Sequence, residues 1–135
     1  MARQLAVAVA VLALAAGVIW LRQETQSEHY PTHPDSRVVI TVDASTNRAS
    51  ETHSVQEMTA VQLTFCRLEV GSDPLGPIRQ VPDHPARFQV VLQPALDATD
   101  QVQYTGCVED WTADHLLLDV VSVERSGPVL PGEPT

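Results

Sequence analysis

The sequence lacks the short motifs that mark the common catalytic sites. It has no glycine-rich phosphate loop and no G-x-S-x-G nucleophile elbow. Four carboxylates lie near Trp111, where such a cluster could serve glycoside hydrolysis or hold calcium, but their spacing is not that of an EF-hand loop. A solvated helix end and turn accounts better for these residues, Glu109, Asp110, Asp114 and Asp119. We therefore expect no enzymatic activity, no catalytic residue and no cofactor.

The sequence also lacks a convincing set of metal ligands. His29 and His33 are four residues apart, a spacing that brings two imidazoles to one face of a helix. Pro31 lies between them and argues against a helix there. The other three histidines fall in a loop, a turn and the start of a strand: His53, His84 and His115. No metal-binding residue is predicted.

Lysine is absent, and acidic residues far outnumber the eight arginines. From Gln23 onward there are six Arg against seventeen Asp and Glu, a net charge of 6 − 17 = −11 with His neutral. Phosphate backbones and anionic lipid surfaces repel such a domain, so we expect no nucleic-acid partner. The use of Arg alone, with much Ala, Val and Pro, indicates codon bias rather than a binding site.

Cysteine is scarce, with only Cys66 and Cys107 present. Their spacing is too wide for a redox Cys-x-x-Cys pair, and two thiols are too few for a zinc site. An even number of cysteines in an exported domain is typical of disulfide bonding. We predict that the two cysteines form one disulfide, which closes a loop of about forty residues.

Charge is missing from the run between Leu5 and Leu21, which is apolar on all sides. As a helix this run would be roughly 25 Å long, within the range that spans a bilayer. We predict a transmembrane anchor over residues 1–22 that contacts the lipid bilayer through residues 5–21. The alternatives are a signal peptide cleaved after Ala13-Leu14-Ala15 and a buried helix of a soluble protein.

The basic residues beside the run predict its orientation. Arg3 and the amino group precede it, and Arg22 follows it, which favours a cytoplasmic N-terminus. We therefore expect a single-pass protein of the cell membrane with its domain on the extracytoplasmic side. The predicted regions after the anchor are a polar stalk at 23–36, an α+β domain at 37–125 and a disordered Pro/Gly tail at 126–135.

Alternating or β-branched segments predict four strands. They are Arg37 to Asp43, a short one from Ile78 to Val81, Arg87 to Gln93, and Leu116 to Val123. Turn residues fill Asp73 to Pro77 and Pro82 to Pro85, and Pro94 should end the third strand.

Two helices are predicted between these strands. Ser54 and Glu57 have the form of a capping box, and Gly71 is a stop signal for the first helix. One face of that helix carries Val55, Met58, Val61, Phe65 and Leu68. The second helix begins after Asp97 or Thr99 and contains Gly106, which indicates a close approach of another element. Its apolar face carries Tyr104, Cys107, Val108 and Trp111.

The order strand, helix, strand, strand, helix, strand predicts a ferredoxin-like (βαββαβ) domain with two helices on one face of an antiparallel sheet. The cysteines support this fold independently. Cys66 falls late in the first helix and Cys107 late in the second, and those helices would be neighbours, as a disulfide requires.

The sheet face away from the helices is the candidate interface. It would present an apolar centre with polar surroundings: Arg37, Val39, Thr41, Arg87, Gln89 and Val91, with Asp43 and Gln93 beside them. An ordinary solvated sheet face is the alternative. The functional prediction is an anchored extracytoplasmic protein-interaction or accessory module of a cell-envelope complex, with an envelope protein as partner. The alternative is an anchored sensor or carrier of a small ligand or metal.

Overall fold

The computed structural model describes residues 13–17, 30–47, 53–112 and 115–131. These residues form a small α+β protein with an antiparallel sheet, as predicted. A 3-10 turn at Arg67–Glu69 follows the first helix. In chain order the elements are β1 (Arg37–Thr46), α1 (Val55–Cys66), β2 (Asp73–Pro74), β3 (Arg79–Val81), β4 (His84–Gln93), α2 (Ala98–Asp110) and β5 (Leu116–Ser126).

Strand β1 lies at the centre of the sheet and pairs with β4 on one side and β5 on the other. The register against β5 shifts between Thr41 and Val42, so Val121 has no partner in β1. Both short strands, β2 and β3, pair with the outer edge of β4. The Leu75 amide also donates to the Val91 carbonyl at 2.9 Å, so β2 and β3 form one interrupted edge.

Both predicted turns are shorter in the structure, because strand residues occupy part of each. Asp73 and Pro74, expected in a turn, pair with the end of β4, where proline is tolerated because an edge strand leaves one N–H side unpaired. The turn before β4 is shorter than expected, because β4 already begins at His84. Asp83 takes the positive φ of 62° that this turn requires.

The core lies between the sheet and the two helices. The strand residues that alternate inward are buried because every second side chain of a strand points to the same face. Helix α1 contributes Met58 and Leu63, and α2 contributes Tyr104 and Val108. The strands contribute Val38, Ile40, Val42, Phe88, Val90, Leu92, Leu116 and Leu118.

Helix α1 begins as predicted but faces the sheet with a different side. The capping box is confirmed: the Ser54 amide donates to Glu57 Oε2 at 2.8 Å, and the Glu57 amide donates to Ser54 Oγ at 3.2 Å. Only part of the predicted apolar face is buried: beyond Met58 its last three residues are exposed, and two polar residues of the helix are buried instead. The exposed residues are Val61, Phe65 and Leu68, and the buried polar ones are Thr59 and Gln62.

Hydrogen bonds explain why α1 faces the sheet with a side other than the predicted one. Thr59 Oγ1 donates to the Val55 carbonyl, and Gln62 Nε2 donates to the carbonyls of Val108 and Trp111 at the end of α2. A polar side chain can be buried at little cost when its polar atoms are paired, as in Thr59, whereas Gln62 Oε1 is buried with no hydrogen-bond partner among the described residues. The apolar spacing along α1 contains no sign of these bonds.

Helix α2 begins at the predicted cap and contains no close approach at its glycine. The Asp97 side chain accepts the Asp100 amide at 2.7 Å. The inference about Gly106 is wrong, because a Cβ placed there would meet no atom within 4 Å. Gly71 does not end α1 either, since the α-helix stops at Cys66 and the 3-10 turn at Glu69.

The predicted disulfide joins the two helices. Cys66 is the last residue of α1 and Cys107 lies in the last turn of α2, with their Cα atoms 5.7 Å apart. Among the described residues there is no free cysteine. The bond closes a loop between residues 41 apart in sequence, and the Cys66 side chain is fully buried.

Residues 30–36, placed by the sequence in the stalk, attach to the segment between β4 and α2. The Tyr30 amide donates to Asp97 Oδ2 at 2.7 Å, and Gln93 Nε2 donates to the Pro34 carbonyl at 2.8 Å. Ser36 is fully buried and accepts the Ala95 amide at 3.0 Å. Among the described residues, the contacts of the domain therefore reach back at least to Tyr30, seven residues before the predicted boundary.

Most of the predicted anchor lies outside the described residues. Within residues 1–22 the structure describes only 13–17, which are helical and exposed. The stalk before residue 30 and the end of the tail, 132–135, are also outside the described part. No helix in the described part is long and apolar enough to cross a membrane.

Candidate functional site

The predicted interface lies on the sheet face away from the helices, which we call the open face. The register between β1 and β4 places Val39 opposite Val91, Thr41 opposite Gln89 and Asp43 opposite Arg87. All six predicted residues therefore belong to β1 and β4: Arg37, Val39, Thr41, Arg87, Gln89 and Val91.

Two of these cross-strand pairs are joined by side-chain hydrogen bonds. Arg87 donates to both carboxylate oxygens of Asp43, from Nε at 2.7 Å and from Nη2 at 2.8 Å. The guanidinium bond lowers the pKa of the Asp43 carboxyl and raises that of Arg87. Gln89 Nε2 donates to Thr41 Oγ1 at 3.1 Å. At this end of the open face the polar side chains bond to one another across the strands, and these bonds fix the β1–β4 register.

The other end of the open face contains a depression of about 500 Å³, which we call the arginine depression. Val39 and Val91, both half-buried and directly opposite each other, line it. The interrupted edge between β2 and β3 forms one wall. The lining residues are Arg37, Val39, Leu75, Gly76, Pro77, Arg79, Gln89 and Val91.

Neither arginine of this depression has a side-chain partner among the described residues. Within that part of the chain, Arg87 forms an ion pair with Asp43, and Arg67 forms one with Asp73. Arg37 and Arg79 are both exposed. Glu124 is on the neighbouring strand opposite Val39, and it accepts a hydrogen bond from Ser122 at 3.4 Å. The arginine depression therefore combines an apolar floor with two available guanidinium groups.

A second surface is formed by large apolar side chains of the helices, and we call it the helix patch. The exposed fractions of its four residues are 62% for Val61, 44% for Phe65, 72% for Leu68 and 40% for Trp111. The rings of Phe65 and Trp111 stack with their centroids 4.0 Å apart and their planes at 22°. Aromatic residues are enriched at the centre of protein interfaces, which makes this cluster a candidate docking surface.

The helix patch is held in place from beneath. Gln62 bonds to the backbone of Val108 and Trp111, and thereby ties α1 to the end of α2. The Cys66–Cys107 disulfide joins the same two helix ends, next to Phe65 in sequence. A patch whose backbone is fixed before binding loses less conformational entropy when a partner docks.

The sequence pattern placed these residues on the apolar faces of two helices and did not identify them as an exposed surface. Val61, Phe65 and Leu68 have the spacing of a buried helical stripe, and Trp111 continues the apolar face of α2. Thr59 and Gln62, which the structure buries, did not indicate another orientation, because polar residues in a helix are ordinarily exposed.

Among the described residues, the histidines and carboxylates singled out from the sequence do not converge on one site. His33 Nδ1 accepts the Asp35 amide at 3.1 Å, and Glu109 Oε1 accepts the Val120 amide at 3.2 Å. Asp119 lies on β5 opposite Asp43. His29 and Asp114 are outside the described residues. Among the residues that are described, no three His, Cys, Asp or Glu side chains are grouped as metal ligands.

Another depression, of about 450 Å³, lies between α1 and the interrupted edge of the sheet. Its floor is continuous with the core through Leu63, Val90 and Leu92. Gly76 and Pro77 line both depressions, so this edge segment separates them.

Comparison of the chain with protein-family models, with curated proteins and with solved structures finds no match.

Proposed function

We propose that the protein is a single-pass, membrane-anchored extracytoplasmic module that docks on another protein of the cell envelope through the helix patch. The observation that carries this proposal is the clustering of four exposed large apolar side chains, two of them stacked aromatic rings. Contiguous exposed apolar surface costs solubility, and it is typical of interaction sites.

The charges around the helix patch favour a protein partner with a basic rim. Glu69 follows Leu68, Asp110 precedes Trp111, and both carboxylates are exposed. These acids and the acidic domain repel an anionic lipid surface and attract basic side chains. The partner surface is therefore apolar at its centre and rich in Arg or Lys at its margin.

The proposed location rests on the apolar run and on the disulfide. Residues 5–21 have the length and hydropathy of an anchor, and the basic residues favour an extracytoplasmic domain. A disulfide persists in oxidising compartments, which supports the same side of the membrane.

The strand order further supports a ferredoxin-like arrangement of the domain. The order β5–β1–β4 is followed by the interrupted edge of β2 and β3, which takes the place of one strand. Helices α1 and α2 share one core with the same side of β1 and β4.

The proposal is tested by purifying the full chain from detergent-solubilised membranes and measuring the stoichiometry of what accompanies it. The patch variant is F65S/L68S, and the matched control is V102S/V129S, which replaces two valines that are 73% and 47% exposed. We expect one partner at fixed stoichiometry with the wild type and the control, and loss of that partner with F65S/L68S.

Circular dichroism of the three purified proteins verifies that each variant is folded. Retention of the same stoichiometric partner by F65S/L68S would contradict docking through the helix patch. A wild type that brings no stoichiometric partner would favour the alternative, an anchored sensor or carrier of a small ligand or metal.

A further inference from the structure

The arginine depression carries a second inference, which concerns a different surface from the helix patch. The domain is strongly acidic, yet two of its six arginines line one depression and have no side-chain partner among the described residues. Between them lie Val39 and Val91, whose side chains are half-buried although none of the described helices covers this face. Unpaired cations beside an apolar floor are suited to a ligand with carboxylates and an apolar group.

The strand registers define the spacing of the two cations. Arg79 lies opposite Gln89, and the β1–β4 register continued by one residue places Arg37 opposite Gln93. The two arginines are thus on either side of β4 and four residues apart along it. Their Cα atoms are about 16 Å apart, from the usual strand spacing and rise.

An extended peptide matches this spacing. Its alternate side chains point to one side, and positions i and i+4 are about 13 Å apart. The flexible arginine side chains close the remaining distance. An acidic side chain at each of these positions would meet one guanidinium, and an apolar side chain at i+2 would lie on Val39 and Val91.

We propose that the arginine depression binds an extended acidic segment of a partner protein with the pattern acidic-x-apolar-x-acidic. The carboxylates pair with Arg37 and Arg79, and the central side chain covers the two valines. Charge complementarity selects this occupant, since the two unpaired guanidinium groups of this depression flank apolar surface.

The test uses the full chain, labelled with ¹⁵N, in micelles of a zwitterionic detergent. The probe is the peptide acetyl-Glu-Ser-Val-Ser-Glu-amide, titrated while the Nε–Hε resonances of Arg37 and Arg79 and the amides of Val39 and Val91 are followed. Two control peptides replace both Glu by Gln, or the Val by Ser. The protein variant is R37Q/R79Q.

The matched protein control is Q101E/Q103E, which changes the net charge by the same amount on the exposed side of α2. We expect saturable shifts at the four reporter residues with the probe peptide. The Gln peptide and the R37Q/R79Q variant should each weaken binding by at least about tenfold. Raising the ionic strength from about 0.05 M to about 0.5 M should weaken it several-fold, whereas Q101E/Q103E should bind within about twofold of the wild type.

Equal binding of the Glu and Gln peptides to the wild-type chain would overturn the proposal, and this comparison does not depend on any variant folding. It is also overturned if R37Q/R79Q binds as the wild type does, if the largest shifts fall on Phe65 and Trp111, or if no saturable shift occurs. Equal binding of the Ser-centred peptide would remove the role of Val39 and Val91 and reject the proposed pattern.

Discussion

Reduction of the Cys66–Cys107 disulfide should remove a large part of the stability of the domain. The bond joins residues 41 apart, so in the chain-entropy model its loss returns freedom to the unfolded chain worth about 4 kcal/mol. The total stability of a domain of this size is typically ~5–15 kcal/mol. With a urea dependence of about 2 kcal/mol per molar, the midpoint of unfolding should fall by about 2 M.

The assay is urea unfolding of the full chain in detergent micelles, with and without reductant, followed by tryptophan fluorescence. Comparing the same protein in two redox states isolates the cross-link. The C66A/C107A variant is the control, and its urea midpoint should not change when reductant is added. This variant also loses packing, because Cys66 is fully buried. Equal midpoints with and without reductant, or two thiols that alkylate in the untreated native protein, would refute the reasoning.

The other predictions concern glycine and pH. G106A should stabilise the chain by up to about 1 kcal/mol, because alanine favours a helix and an added Cβ has room there. G127A should destabilise it, since Gly127 has φ +95° and its Cβ would lie 3.1 Å from the backbone of Ser36; equal thermal shifts for the two variants would contradict this account. Folding lowers the pKa of Asp43 and Glu57 from ordinary values of 3.8 and 4.5, through bonds from Arg87 and Ser54. Their contribution to stability should therefore be complete at neutral pH and be lost as the pH falls below these values, and D43N should flatten the acid limb of a plot of urea midpoint against pH.

The local signals in the sequence were sufficient for much of the fold. The capping box of Ser54 and Glu57 and the cap at Asp97 marked both helix starts, because each satisfies backbone amides within its own turn. The alternation in β1 and β4 identified the buried side of each strand. The cysteines, placed late in the two helices, predicted the disulfide between them.

Features that depend on long-range contacts could not be predicted from local sequence signals. The side that α1 turns toward the sheet depends on hydrogen bonds from Gln62 to Val108 and Trp111, which are 46 and 49 positions away in the sequence. The docking of residues 30–36 depends on Ser36 and Asp97, whose partners are about sixty residues distant. No periodicity in a single segment encodes such pairs.

The candidate site was predicted in part for the same reason. The sequence placed Val39 and Val91 on the open face, where the structure has them opposite each other. It did not show that Asp43 and Arg87 satisfy one another, nor that the edge segment at Pro77 completes a depression with Arg79. The residues of the helix patch were recognised only as parts of apolar helix faces, because apolar spacing alone does not distinguish a buried stripe from an exposed one.

Docking through the helix patch is tested most directly by site-specific photo-crosslinking in intact membranes. Benzoylphenylalanine replaces Phe65, an exposed aromatic residue of the patch, or Val102, an exposed residue of α2 outside it. We predict a single discrete crosslinked product from position 65 and none from position 102. Absence of a product at position 65, or the same products from both positions, would contradict the account.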